Sequence, residues 1–127
     1  MKSSNEPIIY LIDDDLMIRR ALGRVLKSVG LTAEMFASAE DFLDAPHRQT
    51  DACLLLDVRL PERGGLELQE ELKTSGSSLP IVFITAHWSA SKRDAAIAAG
   101  AVAFLAKPVD EKALFGAIDT ALKISGT

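Results

Sequence analysis

Cys53-Leu54-Leu55-Leu56-Asp57-Val58-Arg59-Leu60-Pro61 is the stretch that decides the fold. An unbroken apolar run ends in a carboxylate, and a proline then turns the chain. A short run without polar alternation, bounded by turn signals, reads as a strand buried on both faces. Asp57 then stands where the strand leaves the sheet. Taken alone, a strand-end aspartate is most simply a helix cap or a solvating loop group. Three further runs change that reading. Ile8-Ile9-Tyr10-Leu11-Ile12 leads into Asp13-Asp14-Asp15, Ile81-Val82-Phe83-Ile84 into Thr85, and Ala101-Val102-Ala103-Phe104-Leu105-Ala106 into Lys107-Pro108. Acid, acid, hydroxyl and amine fall on strand ends, and a parallel sheet would gather them along one edge.

Helical patterns separate these runs. Asp15 can cap a helix over about 15–29, whose Ile18, Leu22, Val25, Leu26 and Val29 share one face, with Gly30 as its stop. Residues 32–36 form a weaker strand, expected at the sheet edge. Ser38 caps a short helix from 39 to about 45, with Phe42 and Leu43 inward and Pro46 ending it. His47 reads as a solvated loop residue. Leu66, Leu68 and Leu72 mark a third helix, His87 to Ser91 open an alanine-rich fourth, and a fifth runs over about 110–123 with Leu114, Ile118, Ala121 and Leu122 inward. Residues 1–7 and 125–127 read as frayed ends. Strand and helix thus alternate five times, the pattern of an α/β fold. The expected architecture is a flavodoxin-like (βα)5 doubly wound parallel sheet of strand order 2-1-3-4-5. Its switch point falls between the strands ending in Asp13-Asp14 and in Asp57.

Composition bounds the rest. The 127 residues suit one domain, 1–127 with a core of about 7–124, and 48% are hydrophobic, enough for a packed interior. A formal charge of −4 without a long basic run argues against direct nucleic-acid binding by this chain. The lone Cys53 excludes an internal disulfide, suits a reducing compartment and reads as an inert core thiol. The polar start lacks the apolar core of a signal peptide, and no run approaches a membrane span. A cytoplasmic protein is expected.

Two adjacent carboxylates on one strand end and a third on its neighbour make a hard-oxygen site suited to Mg2+. Without a cation their charges would raise one another's pKa. Lys107 adds a fixed positive charge and Thr85 a hydroxyl. Acids with metal, amine and hydroxyl are what phosphoryl transfer requires. An aspartate can itself be the nucleophile, giving an acyl phosphate. Asp57, single and central, is the candidate for that, with Asp13 and Asp14 holding the metal.

Those residues, together with Pro61 and Gly65 in the loop beyond Asp57, resemble the receiver domain of a two-component response regulator over about residues 7–124. The resemblance implies phosphorylation of Asp57 by a sensor histidine kinase with Mg2+. It implies Asp14, Asp57 and the backbone carbonyl of Arg59 as direct metal ligands, with Asp13 acting largely through water. Lys107 and Thr85 would contact the phosphoryl group, and the Lys107–Pro108 bond would be cis. Thr85 and Phe104 would form the switch, acting on a surface made by the fourth helix, fifth strand and fifth helix. Arg59 and His87 would flank the mouth and tune hydrolysis of the acyl phosphate, with Trp88 nearby as a fluorescent reporter. Such a domain is a signalling module that catalyses only its own phosphorylation and dephosphorylation.

Three rivals use parts of the same pattern. A haloacid dehalogenase-type phosphatase needs a second aspartate two residues after the nucleophile, where this chain has Arg59. A nucleotide-binding fold needs a glycine-rich phosphate loop, which is missing after the first strand. A receiver that only docks partners, unphosphorylated, would not need the complete set. The Ser38 to Leu43 stretch, Gly100-Ala101-Val102 and Phe104 are similar to receivers of the FixJ/LuxR type, joined to helix-turn-helix effectors. A homodimer on phosphorylation follows from that resemblance. Whether the chain stands alone or belongs to a longer DNA-binding regulator stays open.

Overall fold

The computed structural model describes residues 6–126. Five strands, β1 (Ile8–Ile12), β2 (Thr32–Phe36), β3 (Ala52–Asp57), β4 (Ile81–Thr85) and β5 (Ala103–Ala106), alternate with five helices, α1 (Leu16–Ser28), α2 (Ala39–Asp44), α3 (Gly65–Thr74), α4 (Ala90–Ala98) and α5 (Glu111–Ser125). All strand pairs are parallel and the order is β2-β1-β3-β4-β5, the flavodoxin-like arrangement expected.

Each strand sends alternate side chains to opposite faces, so the apolar runs feed two cores. Tyr10, Ile12, Leu54, Leu56 and Phe83 pack with Phe42, Leu68, Leu72 and Ala96 of α2, α3 and α4. Ile9, Leu11, Cys53, Leu55, Val82 and Ile84 pack with Leu22 and Leu26 of α1 and with Leu114, Ile118 and Ala121 of α5. Every residue of β3 is buried, which is why its sequence shows no alternation. β2, at the edge, is largely exposed.

Several expectations need correction. α1 ends at Ser28, and Val29, its cap, leaves the helical face and is 52% exposed. His87 and Trp88 precede α4, whose cap is Ser89. β5 begins at Ala103, because Gly100 (φ +106°) and Ala101 close the end of α4, the Ala101 amide donating to the Ala96 carbonyl at 3.0 Å. His47 is half-buried and stacks on Phe42 at 4.2 Å, so it is not simply solvated. Ser125 is not frayed. It ends α5 with 8% exposure, its hydroxyl accepting the Ala52 N–H at 3.2 Å. Nor do Glu6 and Gly126 fray: the Glu6 carbonyl accepts from Arg48 at 2.7 Å, and Gly126 caps α5, its amide donating to the Leu122 carbonyl at 2.8 Å; positions 1–5 and 127 lie outside the described residues. No described helix is long and apolar enough to cross a membrane.

Candidate phosphoryl-transfer site

β1, β3, β4 and β5 deliver Asp13, Asp57, Thr85 and Lys107 to the carboxyl edge of the sheet. Asp13 continues β1, its amide donating to the Phe36 carbonyl at 3.1 Å. Its carboxylate is buried, and one oxygen accepts the Asp15 amide at 2.9 Å. Asp15 in turn caps α1 by accepting the Met17 amide at 2.8 Å. The helix start therefore fixes the orientation of Asp13, while Asp14 beside it is exposed and keeps a carboxylate oxygen near those of Asp13 and Asp57.

Asp57 closes β3, buried, and one of its oxygens accepts the Arg59 amide at 3.1 Å. The loop behind it returns tightly. The Gly65 amide donates to the Val58 carbonyl at 2.8 Å, and a Cβ on Gly65 would overlap the Asp57 carbonyl oxygen. Only glycine lets α3 begin this close to the strand end.

Lys107 arrives from β5, its amide donating to the Thr85 carbonyl at 2.8 Å, and the Lys107–Pro108 bond is cis as expected. Its Nζ lies 2.6 Å from Asp13 Oδ2 and 3.2 Å from Asp57 Oδ2. One amine thus bridges carboxylates from two strands. Burial pulls the Lys107 amine down, but its hydrogen bond to Asp13 and the two negative charges outweigh that, and the net direction is up. Burial pushes the Asp57 carboxyl above the ordinary range, and the charge of Asp13 adds to this. Lys107 and the Arg59 amide pull the other way and compensate only in part. Oxygens of Asp13, Asp14 and Asp57 lie within 4.8 Å of one another, a spacing at which one hard cation can take all three.

Thr85 is buried, and its Oγ accepts the His87 amide at 2.9 Å, so the hydroxyl proton is free to be donated. Phe104 is already inward at 7% exposure, against Phe83 (5.8 Å between centroids) and beneath Trp88 (6.4 Å). Arg59 and His87 are exposed.

One residue of the site escaped the sequence. Arg19, a turn into α1, donates from Nη1 to the Asp13 carbonyl at 2.7 Å and pins the acidic loop from behind. Its signal was there, an arginine four residues after the capping Asp15 on the face turned to the loop. Cys53 sits within the core, its thiol pushed up to about 12 by burial, which agrees with an inert group.

A model of the response regulator receiver domain matches residues 9–119. This chain belongs to the receiver domain family. It is 44% identical over 123 residues to the response regulator protein TodT of Pseudomonas putida, covering 97% of this chain and 54% of that protein. The structure of the response regulator StyR superposes with a TM-score of 0.88 at 40% identity, over 95% of this chain and 61% of that one. The FixJ-N structure superposes at 0.82 with 29% identity, over 94% and 96% of the two chains. The receiver thus resembles the FixJ type, and it spans about half the length of the curated relatives it matches. It is a signalling module with an acidic pocket typical of the phosphoacceptor site. Neither the phosphatase nor the nucleotide-binding reading gains support from these similarities.

Proposed function

We propose that Asp57 is the phosphoacceptor of this receiver and takes its phosphoryl group from a phosphohistidine of a sensor kinase. The observation that carries this is the single amine of Lys107 bridging Asp13 and Asp57 at the sheet edge. The carboxylates of Asp13, Asp14 and Asp57 fit Mg2+, since hard oxygens are what that ion prefers, and by the family resemblance the backbone carbonyl of Arg59 would join them, with Asp13 acting largely through water. When bound, Mg2+ supplies charge neutralisation around the phosphoryl oxygens. Asp57, freed of repulsion, attacks phosphorus. A P–O bond forms, the P–N bond breaks, and the partner's imidazole leaves. Lys107 balances the charge of the transferred group, and Thr85 donates its hydroxyl proton to a phosphoryl oxygen. Water later cleaves the acyl phosphate, restoring Asp57 and releasing phosphate. In this sense the domain catalyses its own phosphorylation and dephosphorylation.

The signal travels by population shift, because the Thr85 contact exists only with the phosphoryl group in place. Phe104, on the strand paired with that of Thr85, packs against Phe83 and Trp88, so the α4–β5–α5 surface responds and would serve as the face of a homodimer. Arg59 and His87 set the access of water. We treat residues 1–127 as one receiver domain, acting in the cytoplasm. It does not bind nucleic acid itself, and any DNA-binding output belongs to an effector domain such as a longer regulator would carry.

Incubation with Mg2+ and acetyl phosphate, read by intact mass, tests the assignment. One phosphoryl adduct is expected, absent in Asp57→Asn and in chelator, and beryllofluoride should change Trp88 fluorescence. A modified Asp57→Asn, or an inert wild type, would sink it, the latter favouring a docking-only domain. Arg59→Ala should change the adduct's half-life and leave Mg2+ affinity similar; an unaltered half-life argues against a tuning role.

A further inference from the structure

A groove of about 600 Å3 runs between α1 and the free edge of β2, apart from the phosphorylation site. Its rim is basic. α1 carries four cations and no acid, and among the described residues only Arg19 of these is engaged, with the Asp13 carbonyl. Arg20, Arg24 and Lys27 line the groove, are exposed, and make no hydrogen bond or ion pair among the described residues, in a chain whose net charge is −4. The floor is apolar and adaptable. Gly23 sits inside the helix, where glycine is unfavourable, and a Cβ there would come within 3.1 Å of the terminal methyl of Met35. The missing side chain leaves a notch that Met35, 44% exposed, lies across. The open side is a strand edge. Among the described residues β2 pairs only with β1, so its other edge presents backbone N–H and C=O groups without strand partners there.

We propose that this groove receives an extended acidic segment of a partner protein, which pairs with β2 as an added strand and sets glutamates against Arg20, Arg24 and Lys27. The spacings agree. Arg20 and Arg24 are separated by about 6 Å of helix rise, and alternate residues of a strand by about 6.6 Å. Glutamates at every second position therefore meet successive arginines, whose planar forks suit carboxylates. Strand addition supplies backbone hydrogen bonds, and the side chains on one face supply selectivity. A nucleic acid fits less well, with three cations over an apolar floor and no exposed aromatic ring in the groove on which a base could stack. A helical partner would leave the β2 edge unpaired.

The test is titration of the isotope-labelled chain with a capped peptide of alternating Glu and Val. Amide shifts are expected in residues 20–27 and 31–36, with slowed exchange of the outward β2 amides and affinity that falls with salt. The double variant Arg20→Glu/Arg24→Glu should bind about tenfold more weakly or worse, its fold checked by an unchanged beryllofluoride response. Met35→Ala, which leaves the charges intact, should also weaken binding. The proposal is overturned by the absence of shifts in β2, by equal binding of a Lys-Val peptide, or by unchanged affinity in either variant. It is overturned too if a single-stranded oligonucleotide binds the groove more tightly, or if an acidic helical peptide binds as well without protecting the β2 amides.

Discussion

At the scale of the residue, Asp57 is held in a form the fold does not favour at neutral pH. A carboxyl raised above its ordinary range is easier to protonate in the folded chain than in the unfolded one. Its ionisation therefore costs stability, and the cost grows as pH rises through the carboxylate range. Asp57→Asn removes it. In chelator the variant should be more stable than wild type at neutral pH, and the difference should vanish as pH falls below the ordinary carboxylate value. Denaturant unfolding at several pH values checks this; a variant less stable at neutral pH contradicts the direction. The same residue explains the glycine behind it. Gly65 has to lack a side chain because the Asp57 carbonyl occupies the space, so the loop's turn chemistry and the acid's position are one constraint.

At the scale of the element, the sequence was most legible where burial is two-sided. β1, β3 and β4 are continuous apolar runs, and their ends were readable to the residue because a polar group terminates each. The Lys107 strand end was equally plain. Legibility failed where a local geometry outvoted the pattern. Val29 kept the helical spacing but became the cap. Ala101 looked like strand and instead closes α4. His47, polar by type, uses its ring face on Phe42. Ser125 looked like a polar tail, yet it is buried because the start of β3 lies beside the last turn of α5 and its first amide needs an acceptor. Arg19 escaped for a related reason, since its partner is a backbone carbonyl, which leaves no mark in a side-chain pattern. Ser125→Ala should cost about 1–3 kcal/mol, the usual penalty for a buried donor left without its partner. A cost near zero in chemical denaturation would mean that the Ala52 amide finds another acceptor.

At the scale of the molecule, the two ends of the sheet divide the labour. The amino-terminal end is pinned: Ser77 and Ser78 bond the Gln49 side chain, the Ser125 hydroxyl bonds the Gln49 carbonyl, and the Arg48 guanidinium holds the carbonyls of Glu6 and Asp51. The carboxyl end holds the ionisable groups and the exposed mouth. A rigid base under a charged rim suits a domain in which the contacts made at one aspartate must be felt at α4 and β5 rather than lost in the sheet.

The bridge from Lys107 to Asp13 and Asp57 has a consequence for what the empty-handed protein needs. The amine is a tethered counterion, carried by the chain itself, and it lets three carboxylates share a pocket with no visitor from solution. Wild type should therefore fold in chelator with little loss. Lys107→Met should not: its stability is expected to fall in chelator and to recover as Mg2+ is added, the shift following occupancy of the pocket. Thermal unfolding with and without the ion measures this, and a variant indifferent to Mg2+ would show that the lysine was never standing in for it.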